Sequence, residues 1–225
     1  MEPGNLYIVA TPIGNLADIT VRALEILRTV DLIAAEDTRT TKKLLHHYEI
    51  DKPLTSYYEH NEQQKTPQLI SSLQQGKNIA LVSEAGTPTI SDPGYRLVRA
   101  ALDQQLPIFP IPGPAAALAA LSISGLAVHR FCFEGFLPPK AGKRKNFLRK
   151  IAADERTLIF YESPYRIRAT LEDMLEVLGD RQALLAREMT KLHETRYYGT
   201  LSSLISQLGT GKVKGEITLV VTGKT

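Results

Sequence analysis

The sequence predicts an α/β protein of two domains, the first built on a mainly parallel sheet and the second on a mixed one. Three observations carry this reading. Short apolar runs alternate with helical segments through the first half. A Pro-Gly-Pro turn at Ile111–Pro114 then feeds the alanine-rich stretch AAALAALSISG, which marks a seam. In the second half the last strands lie close together with no helical pattern between them. The expected domains are residues 1–113 and 114–225.

In the first domain, strands are expected at Leu6–Ala10, Asp31–Ala35, Ile79–Val82 and Pro107–Ile111. Thr20 is placed to cap the helix VRALEILRTV, with Val21, Leu24, Leu27 and Ile26 toward one face. Helices are expected over Thr38–Tyr48 and Glu62–Gln75, the latter stopped by Gly76. In the second domain the expected order is strand Phe131–Phe136, helix Lys145–Ala153, strand Thr157–Tyr161 and helix Arg166–Leu178. Strands at Ala183–Ala186, Tyr197–Thr200 and Ile217–Thr222 follow. No repeat of solenoid period occurs.

Composition bounds the function classes. The chain has 225 residues, 43% apolar and 23% charged, and a single cysteine, Cys132, which excludes an internal disulfide. An acid at position 2 and a short apolar run after it do not read as a signal peptide. No run of about 18 apolar residues suggests a membrane span, so a cytoplasmic protein is expected. The net charge of +3 is unevenly spread: residues 1–113 hold 10 Lys/Arg against 13 Asp/Glu, and residues 114–225 hold 17 against 11. The basic second half points to an anionic partner as readily as to a solvated surface. The adjacent His46 and His47 lack a third ligand at metal spacing, and no metal is expected.

The chemistry gathers at strand ends. The first strand runs into TPIGNL, where Gly14 lets a ligand approach the backbone, yet the motif is not G-x-G-x-x-G. The second runs into AAEDTR, whose Glu36 and Asp37 stand about 20 residues beyond Gly14, where a Rossmann-type nucleotide binder keeps its ribose acid. Asp37 or Thr38 serves equally as a helix cap. The third motif, SEAGTPTISDPG, packs two glycines, two prolines, two carboxylates and four hydroxyls into twelve residues after a buried strand. Its acids suit a polar ligand with a positive centre better than a phosphate. In the second half, KAGKRK with Arg149 and Lys150 places six bases in eleven residues, read as a mobile basic loop that would meet a nucleic-acid backbone or simply water. FYESPYR and REMTKLHE repeat the pattern of charge and hydroxyls at strand ends.

The series TPIGNLADIT, AAEDTR, VSEAGTPTISDPG, IPGPAA, FEGFLP, FYESPYR, REMTKLHE and GEITLVV resembles the ribosomal RNA small subunit methyltransferase I family of the tetrapyrrole-methylase superfamily, from residue 11 to 221. The resemblance implies two α/β domains with S-adenosyl-L-methionine in the cleft between them. It implies methyl transfer to the ribose 2′-hydroxyl of a cytidine in the decoding region of 16S rRNA, within the 30S subunit, by a cytoplasmic homodimer. Carried over by position, Pro12, Ile13, Gly14, Gly86, Thr87, Pro88, Ile90, Ser91, Ala115 and Ala116 bind the cofactor, joined by Tyr161 and Ala186 of the second domain. Gly86-Thr87-Pro88 stands where the superfamily has Gly-Asp-Pro. The sequence departs from the family at Glu84, usually Asp, and at Tyr165, usually His. Many members also continue into a C-terminal helical extension.

Methyl transfer to a hydroxyl asks for alignment and benefits from a base. Candidate acids are Asp37, Glu84 and Glu162, with Glu134 a further strand-end carboxylate. Arg39, Lys143, Arg144, Lys145, Arg166 and Lys191 are the candidate substrate-binding bases. Two other readings stay open: a methylase of a small tetrapyrrole, and a non-catalytic RNA-binding protein.

Overall fold

The computed structural model describes residues 2–224. They form two compact units, Met1–Ala115 and Ala116–Thr225.

In the first unit, β1 (Leu6–Val9), α1 (Val21–Thr29), β2 (Leu32–Ala35), α2 (Thr38–His47), β3 (Leu54–Ser56), α3 (Glu62–Gln74), β4 (Ile79–Val82), α4 (Tyr95–Asp103) and β5 (Ile108–Ile111) follow in order. The strands make one wholly parallel sheet in the order β3-β2-β4-β1-β5. Alternation along β4 shows why both faces are covered. Ala80 and Val82 face a core with Ala23, Leu27, Leu44 and Leu45 of α1 and α2, whereas Ile79 and Leu81 face one with Leu69, Leu73, Leu97 and Ala101 of α3 and α4. Because the strands are parallel, every strand's outgoing loop lies along one carboxyl edge.

Local chemistry fixes the helix starts. The Thr20 hydroxyl accepts from the Ala23 amide at 3.1 Å, and the Asp37 carboxylate accepts from the Arg39 amide at 2.7 Å. Gly76, at φ +86°, turns the chain after α3. Val21 is 73% exposed rather than on the buried face of α1, because the first residue of the helix points outward while Ala23 and Leu27 point in.

The second unit contains α5 (Ala116–Ile123), β6 (Phe131–Phe136), α6 (Ala141–Ile151), β7 (Thr157–Glu162), α7 (Ile167–Leu178), β8 (Gln182–Arg187), β9 (Thr195–Thr200), α8 (Leu201–Gln207) and β10 (Ile217–Val221). The sheet order is β6-β7-β10-β8-β9, with only β6 and β7 parallel. Leu158, Phe160, Leu185 and Leu219 face a core shared with α6, α7 and α8, and α5 packs against β7 and β10.

The structure departs from the sequence expectations at two further places. A helix, α8, does intervene between the last strands; it begins on a Thr200 cap and buries Leu201 and Leu204. The basic segment is not a loop: α6 starts at Ala141, so KAGKRK is its first turns. Arg144 thereby turns inward and is 3% exposed. Its Nε and Nη2 donate to Asp173 Oδ2 at 2.7 and 2.6 Å, and Nη1 donates to the Pro139 carbonyl at 3.3 Å. This pair clamps α6 to α7, with Lys145 reaching Glu176 at 2.6 Å beside it.

A buried charge left without its partner costs about 3–5 kcal/mol. Asp173→Ala is therefore expected to lower the urea midpoint of the second unit sharply, and Arg144→Met combined with Asp173→Leu to recover most of the loss. A single variant as stable as the parent would contradict the clamp.

Candidate functional site

The carboxyl edge of the first sheet is built from three loops that bond to one another. TPIG leaves β1, SEAGTP leaves β4 and IPGP leaves β5. Thr11 and Gly86 form an isolated antiparallel bridge, each amide donating to the other's carbonyl at 2.8 and 3.0 Å. Gly86 is buried at φ +90°, a conformation that favours glycine, and a Cβ there would point at Ile13 Cγ2 (3.5 Å) and the Pro114 carbonyl (3.8 Å). The Thr87 hydroxyl donates to the Pro114 carbonyl at 3.2 Å, which draws in the third loop. The Ser83 hydroxyl donates to the Gly86 carbonyl and the Thr11 hydroxyl to the Ser83 carbonyl, at 3.2 and 3.3 Å. Gly113 brings the β5 exit against the end of β1, since a Cβ would stand 3.0 Å from Ala10 Cβ.

The far end of SEAGTPTISDPG is anchored as well. Glu62, buried at the start of α3, accepts from the Gly94 amide at 2.7 Å. Between the anchors, Thr89 and Ser91 hold positive φ values of 74° and 62°, and Ile90 is 46% exposed. Gly94 itself, at φ +137°, has no room for a side chain: a Cβ would lie 2.8 Å from Leu81 Cδ2 and from Thr89 Cγ2.

The edge is acidic. Glu36 Oε2 accepts from the Glu84 amide at 3.0 Å, and burial pushes the Glu36 carboxyl up, aided by the charges of Glu84 and Asp37. Asp92 is pushed up to about 7, first by burial and then by the charge of Glu36, against an opposing hydrogen bond from Ser83. Asp37 lies at the other extreme: the Arg39 guanidinium, 2.9 Å away, and the Arg39 amide hold it at about 2. Asp37 is thus both the cap of α2 and the partner of Arg39. The Glu84 side chain is exposed.

Of the expected cofactor residues in this unit, Ile13, Gly86 and Pro88 are buried, Pro12, Thr87 and Ala115 half-buried, and Gly14, Ile90 and Ser91 exposed, all on these three loops. Ala116 opens α5 of the second unit. There Tyr161 and Ala186 flank Thr218 of β10 on one face of the sheet, and the Ala117 amide donates to the Tyr161 hydroxyl at 3.3 Å. Phe133 and Phe136 pack edge-on to the Tyr161 ring.

Several expected catalytic and substrate residues are committed elsewhere. Glu162 is 2% exposed; its Oε1 accepts from the Ser163 amide and Arg166 Nη2, and its Oε2 from the Thr170 hydroxyl, each at 2.6 Å. This makes it and Arg166 the fastening of the FYESPYR loop. Lys191 bonds Glu188 and Glu216 at 3.1 and 3.0 Å, and Arg144 and Lys145 are held by α7. Lys143 and Arg39 remain exposed. Sequence reasoning left Glu62 out of the candidate site and gave Asp92 no proton-holding role. The density of polar residues around Asp92 was the available signal for the second, and nothing local signals the first.

A sulfonium cofactor asks its site for negative charge near the positive sulfur. The hydroxyls of Thr11, Ser83 and Thr87 are turned onto carbonyls, and the loops leaving β2 and β4 carry the carboxylates Glu36, Asp37, Glu84 and Asp92, of which Asp37 is paired with Arg39. Such a rim fits a ligand carrying a positive centre and repels a phosphate. Among the described residues no group of three or more His, Cys, Asp and Glu is placed to hold a metal ion, and no helix is long and apolar enough to cross a membrane.

Two outcomes are expected. Folded Asp92 keeps its proton up to about pH 7 whereas the unfolded group releases it near pH ~4. Unfolding therefore sheds a proton in that window, and stability falls as pH rises through it. Asp92→Asn should match the parent near pH 4 and exceed it at pH 8 in urea titrations; parallel profiles would refute the assignment. Gly94→Ala should destabilise by about 1–3 kcal/mol from backbone strain alone, with steric overlap adding to it.

A family model described as tetrapyrrole (corrin/porphyrin) methylases matches residues 5–205. The chain is 56% identical over 224 residues to ribosomal RNA small subunit methyltransferase I of Haemophilus influenzae, covering 98% of this chain and 79% of that protein. It is 48% identical over 221 residues to the protein of the same name from Thermotoga maritima, covering 98% and 99%. Among solved structures, the methyltransferase CobJ aligns at TM-score 0.73 and 18% identity over 98% of this chain and 94% of that one. Uroporphyrin III C-methyl transferase of Thermus thermophilus aligns at TM-score 0.67 and 19% identity over 98% of both. At that identity the two structures speak for the fold. The wholly parallel first sheet, the mixed second sheet and the relatives of about half identity lead to one statement: the chain belongs to the tetrapyrrole methylase family, in its ribosomal RNA small subunit methyltransferase I branch.

Proposed function

We propose that this methyltransferase transfers a methyl group from S-adenosyl-L-methionine to the ribose 2′-hydroxyl of a cytidine in the decoding region of 16S rRNA. The observation that carries the reading is the carboxyl edge of the first unit, where the Thr11–Gly86 bridge and the Thr87–Pro114 hydrogen bond lock three loops together along an acidic rim. S-adenosyl-L-methionine, when bound, supplies an electrophilic methyl group on a positively charged sulfur. Pro12, Ile13, Gly14, Gly86, Thr87, Pro88, Ile90, Ser91 and Ala115 are the residues of this unit proposed to hold it, with Ala116, Tyr161 and Ala186 of the second unit.

The chain's own residues then have two tasks. One is to hold the ribose hydroxyl in line, which is where most of the rate advantage of such a displacement lies. Arg39, exposed and steered by Asp37, is assigned to the nucleotide, with Lys143 on the RNA backbone. The other task is to receive the hydroxyl proton. Glu84 is the exposed carboxylate of the three expected acids, whereas Asp37 is held strongly ionised by Arg39 and Glu162 is spent on its loop. Action on an assembled 30S subunit, as a homodimer, in the cytoplasm completes the proposal and rests on the family resemblance.

The test is calorimetric. Micromolar binding of S-adenosyl-L-methionine and S-adenosylhomocysteine is expected for the parent and its loss for Gly86→Arg, since the Cβ at this position points between Ile13 and Pro114. Ribose-methylation mapping of 30S subunits lacking the modification should then show one new methylated cytidine. Methylation of a tetrapyrrole with none on RNA would reassign the substrate. Salt-dependent RNA binding without cofactor affinity would remove the enzymatic reading. Arg39→Ala is expected to raise the KM for 30S on the order of tenfold, the size of one charge-assisted hydrogen bond, with cofactor affinity unchanged.

A further inference from the structure

In the second unit β6 and β7 are parallel, and β7 and β8 are each antiparallel to β10, so β6, β7 and β8 all end at one edge of the sheet. The loop after β7 is fastened unusually well. The buried Glu162 carboxylate takes the Ser163 amide, Arg166 and Thr170; Arg166 Nη1 reaches across to the Leu137 carbonyl at 3.4 Å; and the Tyr165 amide donates to the Ser163 hydroxyl at 3.4 Å. Pro164 further restricts the backbone. Out of this rigid turn Tyr165 projects with 94% of its surface exposed.

A single exposed aromatic on a surface is ordinary. Three things set this one apart. The residues on either side of it, Ser163 and Arg166, are tied to the buried Glu162 carboxylate, so ordering this loop on binding costs little. The loop after β6, joined to it through the Arg166–Leu137 contact, leads into α6, whose exposed Lys140 and Lys143 supply positive charge. At the same edge Phe136 is 56% exposed and Leu192, in the loop after β8, 92%. An exposed aromatic ring and lysines on adjoining loops of one sheet edge are the elements that grip single-stranded RNA: the ring stacks on an unpaired base while the cations follow the phosphates.

We infer that Tyr165 is a stacking platform for an unpaired nucleobase of the RNA substrate. The inference rests on the proposed rRNA function and adds to it a base-binding subsite, with Lys140 and Lys143 on the adjoining phosphates. Tyr165 touches the substrate away from the reacting hydroxyl, so its contribution is to binding and leaves the chemical step alone.

The experiment compares the parent with Tyr165→Phe, Tyr165→Leu and Tyr165→Ala. The readouts are methylation kinetics on unmodified 30S subunits, and anisotropy titration of a labelled single-stranded oligonucleotide copying the decoding region. Tyr165→Ala should raise KM and the oligonucleotide Kd by roughly five- to a hundredfold, the range for losing one stacked base. Tyr165→Leu should resemble Ala, and Tyr165→Phe should stay within about twofold of the parent, because the ring face is what stacks. Cofactor affinity and kcat should not move, nor the slope of log Kd against log salt, whereas Lys143→Ala should lower that slope by about one. Equal KM values for the parent and Tyr165→Ala overturn the inference, as does a Leu variant as good as Phe. A loss seen on 30S and absent on the oligonucleotide also overturns it, pointing to a protein contact. A parent that methylates no 30S subunit at all refutes the underlying functional reading instead.

Discussion

The first unit depends on a pair of backbone hydrogen bonds between Thr11 and Gly86. Parallel strands pair along their length, but the loops leaving them have no ladder to hold them. Here one bridge extends the pairing of β1 and β4 past the sheet edge and stops both loops from splaying. Gly86 makes it possible, since its positive φ turns the β4 loop back over β1. With the bridge formed, the Ser83, Thr87 and Thr11 hydroxyls find carbonyls within reach, and the third loop is drawn in through Pro114. Glu62 does the same service at the distant end by gripping Gly94. The result is a pre-shaped rim whose unspent polar groups are carboxylates. Burial first, and the charge of neighbouring carboxylates second, make Glu36 and Asp92 hold their protons more tightly than usual, and a cation bound among them would relieve the repulsive part.

The second unit solves the same problem with side chains. Its FYESPYR loop is fastened by a buried carboxylate that accepts three hydrogen bonds, and its first long helix by a buried Arg144–Asp173 pair. Charge is thereby sorted. Arg144 and Arg166 are consumed in holding the scaffold, while Lys140 and Lys143 stay at the surface. The surplus of base in this half of the sequence consequently overstates what is free to meet an anionic partner.

Most of the fold was legible because its signals are local. The run IALV reads as a strand buried on both faces and is one, with its side chains shared alternately between two cores. Thr20 caps α1 as its position before an apolar-periodic segment implied, and Gly76 turns the chain after α3. Short elements escaped: β3 has three residues and α8 seven, too few for a period to show, and their existence is decided by packing. Clustered bases beside Pro138 and Pro139 suggested a loop, yet lysine and arginine are good helix formers and a partner on α7 was waiting for Arg144. At the candidate site the glycines, prolines and acids of SEAGTPTISDPG announced a loop of unusual purpose. What it bonds to was not readable, because Thr11 with Gly86 and Glu62 with Gly94 are distant in sequence, and only the fold brings them together.

The measurement that bears most directly on this account is amide hydrogen exchange at Thr11 and Gly86, followed by NMR with and without S-adenosylhomocysteine. Both amides point into the bridge and should exchange slowly and at similar rates in the free protein, as one cooperative unit. Cofactor binding should slow both further, while core amides of the second sheet such as Leu219 change little. Fast exchange at Gly86 in the free protein, or protection there that ignores the cofactor, would contradict the claim that this bridge preforms the cofactor's seat.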